Sequence, residues 1–155
     1  MPALRVGIVT PDGISTEDWD KVHELAVRVV NLSAEGLDAE SDAARGELLT
    51  LLDVLDLKYG RKPSLLATRA DYIDSAPEKE QCLRQAFAAA KELDDRQNLT
   101  WVAASLASFY LEDVSDIPNG ASWVMTLRGL LAEAPDVSMQ PELERLEKLL
   151  ISRVP

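Results

Sequence analysis

The chain offers few side chains for catalysis or metal binding, and its one histidine is the first to consider. His23 follows Asp20 and precedes Glu24, a spacing that resembles half of a metal site on one helix face. Two-metal sites in helical bundles need a second Glu-x-x-His segment, and the sequence contains none. We therefore interpret His23 as a structural or surface residue and predict no metal site.

Two other features could carry chemistry, a lone thiol and a basic loop. Cys82 lies beside Leu83 with no histidine near it in the sequence, which favours a buried apolar thiol over a nucleophile. Residues 60–64, with the sequence GRKPS, could hold an anion because they place cations before a helix N terminus. We favour another interpretation, in which these cations offset the negative end of the preceding helix while Ser64 caps the next one. The sequence thus indicates a chain that is not an enzyme and has no cofactor.

Composition sets the class of protein and of partner. At 155 residues the chain is long enough for a single domain to bury a core without disulfides or metal. Its formal net charge of −11 comes from 27 acidic and 16 basic side chains. Such a surface repels nucleic acid and anionic membranes and speeds encounter with basic proteins, although solubility alone would also explain it. The expected partner is another protein, with a basic surface.

Cysteine usage and the hydropathy pattern bear on location. One cysteine allows no intrachain disulfide, and the first residues lack the apolar region of a signal peptide. No stretch approaches the roughly 18 uninterrupted apolar residues that a membrane span needs. We therefore expect a cytoplasmic protein.

The elements that must position any site are helices, because apolar residues recur at spacings of three and four along most of the chain. Strict alternation occurs only near the start, so residues 1–14 are expected to form an arm or short strand. The predicted helices make a hairpin over 15–60, hairpins over 64–97 and 98–135, and a closing helix over 141–153. Helix 2 is apolar on several faces and is expected to be sandwiched. The predicted caps are Ser15, Ser41, Ser64, Ser75 and Asn98.

The two middle hairpins carry a family resemblance. Ser64 and Asn98 lie 34 residues apart, which is the period of a known helix–turn–helix array. The run LRQAFAAAKELDD looks like the second helix of a tetratricopeptide repeat, and NLTWVAASLASFY resembles the first helix of the next one. Pro135 corresponds to the proline that commonly closes each repeat, whereas Asp95 replaces it in the first unit. Residues 64–135 therefore resemble tetratricopeptide repeats, with an ordinary helical bundle as the alternative.

The resemblance implies an all-α stack of antiparallel hairpins whose first helices line a concave groove for a peptide or a partner's helix. Predicted helix 5 has two apolar stripes, one through Trp101 and Ser108 and another through Val102 and Leu106. The first stripe is expected to pack within the stack. The second is expected to face the groove, unless helix 7 or the N-terminal arm covers it. By position, the implied groove residues are Thr68, Tyr72, Val102, Leu106, Phe109 and Tyr110.

Acidic residues should border this groove and complete the functional prediction. Glu112, Asp113 and Asp116 gather near the end of helix 5, where they could meet lysine or arginine of a partner, although solubility alone would also explain them. We expect a non-enzymatic interaction protein, and we favour an acidic inhibitor of the immunity type that neutralises a basic toxin. An adaptor or chaperone that binds a peptide is the alternative. A small-ligand protein or enzyme with a pocket around Tyr72 and Trp101 is more remote.

Overall fold

The computed structural model describes residues 10–154, and helices account for most of them. The all-α prediction is confirmed for this range. Of the predicted arm or strand over residues 1–14, residues 1–9 lie outside the described part of the chain. The helices are α1 Thr16–Ala34, α2 Asp38–Tyr59, α3 Pro63–Asp71, α4 Ala76–Glu92, α5 Arg96–Ser108, α6 Ile117–Glu133 and α7 Gln140–Arg153. A π-helical turn, Phe109–Asp113, follows α5, and a 3-10 turn, Val137–Met139, precedes α7.

Local capping chemistry explains where the helices begin. Ser15 caps α1 and Ser75 caps α4 as predicted, because each hydroxyl accepts a backbone N–H three residues on. Three starts differ from prediction: α2 begins before Ser41, α3 begins one residue before Ser64, and α5 begins two residues before Asn98. Asp95 caps α5 instead, with its carboxylate accepting the Asn98 N–H at 3.1 Å. A carboxylate accepts this bond better than an amide oxygen because the helix N terminus is positive.

Neighbouring helices pack as hairpins along the chain. The pairs α1–α2, α3–α4 and α5–α6 make the largest contacts, and α4 packs on α5 while α6 packs on α7. Helix α5 also touches α3 and α7 directly. It therefore occupies the middle of the described fold, and its residues enter two of the three core clusters.

Helix α2 differs from its predicted place at the centre. One face is buried through Leu48, Leu52 and Leu55, which pack with Val22 of α1. On the opposite face Val54 is 54% exposed and Leu57 is 90% exposed. The prediction of a sandwiched helix 2 is therefore wrong, because α1 and α3 cover only one side of it and no described element covers the other.

A buried hydrogen-bond network joins the N-terminal segment to the starts of α3 and α5. The Asp12 carboxylate accepts from the Ser64 N–H at 2.7 Å and from the Ser64 hydroxyl at 2.9 Å. The Asn98 side-chain amide donates to Ser64 Oγ at 3.3 Å and to the Asp95 carboxylate at 2.7 Å. An anion therefore does lie at the N terminus of α3, and it is the chain's own Asp12.

Candidate functional site

The predicted groove residues of helix 5 lie in the core. Val102, Leu106, Phe109 and Tyr110 are each 3% exposed or less, and they pack on α3 and α4 around Leu66. The prediction that they face a partner is therefore corrected. The physical reason is that α4 and α3 meet α5 on this side, so burial of its larger apolar stripe is completed within the chain.

The other stripe of α5 is the open one. Trp101 is 45% exposed, Ser105 is exposed, and Ser108 is partly exposed. At positions i, i+4 and i+7 these residues share one helix face. The expectation that the stripe through Trp101 and Ser108 packs within the stack is therefore wrong for these two residues; serine at positions 105 and 108 makes this face the more polar of the two.

Trp101 and the two serines line a groove of about 430 Å³, called here the α5 groove. Asp71 at the end of α3 and Lys79 of α4 lie on one side of it. The opposite side is α7 with the turn before it, through Met139, Glu142 and Arg145. This volume is at the lower end of the range for ligand sites, and the lining is more charged than in most of them.

A second depression adjoins the first. It measures about 700 Å³ and lies among α1, α2 and α3, with Val29, Val30 and Tyr72 in its lining. Asp71 borders both depressions. Of the two helix 3 residues predicted for the groove, Tyr72 is thus partly exposed in this depression. Thr68 is half-buried, with its hydroxyl bonded to the Ser64 carbonyl at 2.8 Å.

The cations of the α5 groove have intramolecular partners. Lys79 Nζ lies 3.2 Å from Asp113 Oδ2. Arg145 lies 3.0 Å from the Glu112 carboxylate and 2.7 Å from that of Glu142. These pairs cancel most of the positive charge on the groove walls.

Asp71 is the exception among the charged groups of the groove. Within residues 10–154 no cation lies at ion-pair distance from its carboxylate. Asp71 is an exposed residue, but groove atoms near its carboxyl partly desolvate it, and this raises the pKa of the carboxyl. The Lys79 ammonium acts more weakly in the opposite direction. Among the described residues, the α5 groove is thus lined by one carboxylate without an ion-pair partner and by one half-exposed indole.

The predicted acidic rim is present but already engaged. Glu112 accepts from the Ser108 hydroxyl at 2.5 Å and from Arg145, and these bonds lower its pKa. Asp113 pairs with Lys79. Asp116 caps α6, and hydrogen bonds from the Asn119 side chain and backbone lower its pKa. Of the three, Glu112 and Asp113 stand beside the α5 groove through their cation partners, whereas Asp116 serves the next helix.

The remaining chemical candidates lie elsewhere in the fold. His23 is exposed on α1, and Cys82 is a buried free thiol whose pKa is raised by that burial. Both predicted placements are confirmed. In the described part of the chain no three His, Cys, Asp or Glu side chains gather closely enough to hold a metal ion. Likewise, none of the helices between residues 10 and 154 is long and apolar enough to cross a membrane.

Three comparisons with known proteins found no match to this chain. No protein-family model matches the chain. No curated protein and no solved structure matches it either. The function must therefore be inferred from the chemistry of the α5 groove.

Proposed function

We propose that this chain is a non-enzymatic binding protein that holds a basic partner protein against the α5 groove, with Trp101 as the anchor. The observation that carries the proposal is the exposure of Trp101. A tryptophan 45% exposed at a concave site is costly to leave in water and is among the residues that most often dominate binding energy.

The arrangement of helices supports this role. The α5 groove lies where α3 and α7 flank α5, and the adjoining depression extends the same surface to α1 through Asp71. The proposed architecture is a short stack of tetratricopeptide-like hairpins, with α1, α3, α5 and α7 as the first helices that line its concave side. An elongated surface of this kind favours a partner's extended segment or helix over a small metabolite.

The net charge favours a basic partner. The net charge of −11 accelerates encounter with a cationic protein, and this acceleration decreases as the salt concentration rises. The specific role we propose is that of an immunity-type inhibitor, which neutralises a basic toxin by covering its working surface.

Site-specific crosslinking tests the proposal. A photo-crosslinking amino acid is placed at Ser105, in the groove, and in a separate variant at Leu57, which is 90% exposed on α2. A protein captured from the native host at Ser105 and not at Leu57 is then purified. Its binding is measured with the parent protein, Trp101→Ala and Leu57→Ala.

The two matched substitutions decide the outcome. Trp101→Ala is expected to weaken binding by about 2 kcal/mol or more, mainly through faster dissociation, while Leu57→Ala leaves it unchanged. Equal capture at both positions, or a Trp101→Ala protein that binds as tightly as the parent, would show that the groove is not the binding surface.

A further inference from the structure

We infer that the α5 groove recognises one lysine or arginine side chain of the partner, held between the Trp101 ring and the Asp71 carboxylate. This inference rests on the proposed function and deepens it by naming the chemical group that the groove receives. It follows from three observations about Asp71 and one about Trp101.

Asp71 carries a negative charge in a place that disfavours it. It is the last residue of α3, where the helix already presents its negative end. Although the residue is exposed, groove atoms near its carboxyl partly desolvate it. In the described range it also lacks a cation at ion-pair distance, because Lys79 is committed to Asp113. A cation from outside would offset the negative end of the helix and supply the missing partner.

Trp101 supplies a surface suited to the same cation. An indole face attracts ammonium and guanidinium groups more strongly than other aromatic rings do. Among residues 10–154, Arg84 lies 5.5 Å from the Tyr110 ring centroid and 5.9 Å from that of Trp123. Trp101 has no such cation over it in that range. Its ring therefore remains available to a ligand.

The size and polarity of the groove fit one long cationic side chain. About 430 Å³ accommodates a single extended side chain with part of its backbone. The aliphatic stem of lysine or arginine would pack along the indole while its charged head reaches Asp71. The exposed Ser105 hydroxyl is a further acceptor beside the ring.

Small probes test this recognition without the partner. The intact protein is titrated with acetyl-arginine amide and acetyl-lysine amide, and with acetyl-citrulline amide as the neutral match for arginine. Binding is followed by NMR at the Trp101 indole N–H and at the backbone amides of α3 and α5. We expect saturable shifts with both cationic probes, at millimolar concentrations, and none with citrulline.

Two charge-matched variants give the decisive comparison. Asp71→Asn is expected to weaken binding of the cationic probes at least tenfold. Asp94→Asn removes the same charge from an exposed residue that does not line the groove and should leave binding as in the parent. Citrulline binding as well as arginine, equal affinities of Asp71→Asn and the parent, or no saturable shift with any probe would each overturn the inference.

The captured partner separates this inference from the proposed function. If a partner crosslinks at Ser105 but binds Asp71→Asn and the parent equally, cation recognition is wrong while the binding role stands. If the cationic probes bind through Asp71 and no partner crosslinks at Ser105, cation recognition by the α5 groove is supported and the proposed function is wrong.

Discussion

Ser64 and Asn98 are hydrogen bonded to each other, with the Asn98 side-chain amide donating to Ser64 Oγ at 3.3 Å across α3 and α5. They stand 34 residues apart in the sequence and lie in the first turns of α3 and α5. Asp12 and Asp95 complete the network on either side. The network thus fixes the position of α3 relative to α5.

The first prediction concerns this network. Asn98→Ala removes its donors from Ser64 and Asp95 in a site where Asn98 is 2% exposed. We expect the free energy of unfolding to fall by about 2 kcal/mol, because buried polar groups lose their partners. Asn119→Ala is the matched control, since Asn119 bonds to Asp116 in the same Asp-x-x-Asn arrangement but on the surface. Urea unfolding should give it a loss of about 0.5 kcal/mol, and equal losses would contradict the argument.

A glycine pair in α6 tests the packing of the π-helical turn. A Cβ on Gly120 would clash with the side chain of Leu111, which is fully buried. Gly120→Ala should therefore destabilise the fold by about 2 kcal/mol. Gly129 meets nothing within 4 Å, so Gly129→Ala should stabilise the same helix by up to about 1 kcal/mol. Thermal unfolding of the two variants should shift in opposite directions, and shifts of the same sign would refute this view of the contact.

Acid stability should depend on Asp18. Hydrogen bonds from Lys58 and then from Tyr59 lower its pKa from 3.8 to about 2, and they join the start of α1 to the end of α2. A carboxyl with a lowered pKa stabilises the fold above its unfolded pKa, and this contribution is lost as pH falls from about 4 towards 2. Asp18→Asn should thus cost about 1 kcal/mol at pH 7.

Comparison across pH checks the Asp18 prediction. Urea unfolding of Asp18→Asn and the parent should differ at pH 7, and the difference should narrow as pH falls from 4 to 2. Asp20→Asn is the control because Asp20 is exposed on the same helix, and it should change stability by less than about 0.5 kcal/mol. A difference that stays constant down to pH 2 would exclude the proposed role of the carboxylate.

Alanine substitutions at Phe109 and Trp101 should lower the stability of the fold by different amounts. Phe109 is 3% exposed, so Phe109→Ala should lower the free energy of unfolding by about 3 to 4 kcal/mol through the cavity it leaves. Trp101→Ala should cost about 1 kcal/mol, because nearly half of that side chain is already in water. Denaturant unfolding measures both effects. A larger loss of stability from Trp101→Ala than from Phe109→Ala would show that Trp101, and not Phe109, belongs to the core.

The ionised carboxylate of Asp71 should lower the stability of the folded protein. Burial raises its pKa in the folded protein, so ionisation of this carboxyl costs stability above that pKa and costs nothing once it is protonated. Asp71→Asn should therefore stabilise the protein at pH 7, by about 0.5 kcal/mol from the helix terminus alone. This gain in stability should disappear as pH falls and the Asp71 carboxyl of the parent protein becomes protonated. A less stable Asp71→Asn protein at pH 7 would show that the carboxylate has a structural partner instead.

Local features of the fold were predictable from sequence. The spacing of three and four predicts helices wherever one face is buried, and this holds for each hairpin between residues 10 and 154. Ser15 and Ser75 were assigned correctly because a cap depends on N–H groups within three residues of it. The starts of α2, α3 and α5 differ from prediction by one to three residues, because α2 and α3 begin after Leu37 and Lys62 without a side-chain cap and α5 is capped by Asp95.

The open face of α5 was decided by the tertiary structure. Both of its stripes carry residues that can be buried, and periodicity alone does not distinguish a stripe covered by a neighbour from one left to solvent. Packing of α3 and α4 on one side buries Leu106, and packing of α6 and α7 on another buries Ala107, whereas the residues from 10 to 154 leave the face of Trp101 partly open. The same packing brings Asp71 to one groove with Trp101 from a helix that ends 25 residues before α5 begins. The sequence sets the pattern of apolar residues along each helix, and the contacts between helices determine which face stays exposed.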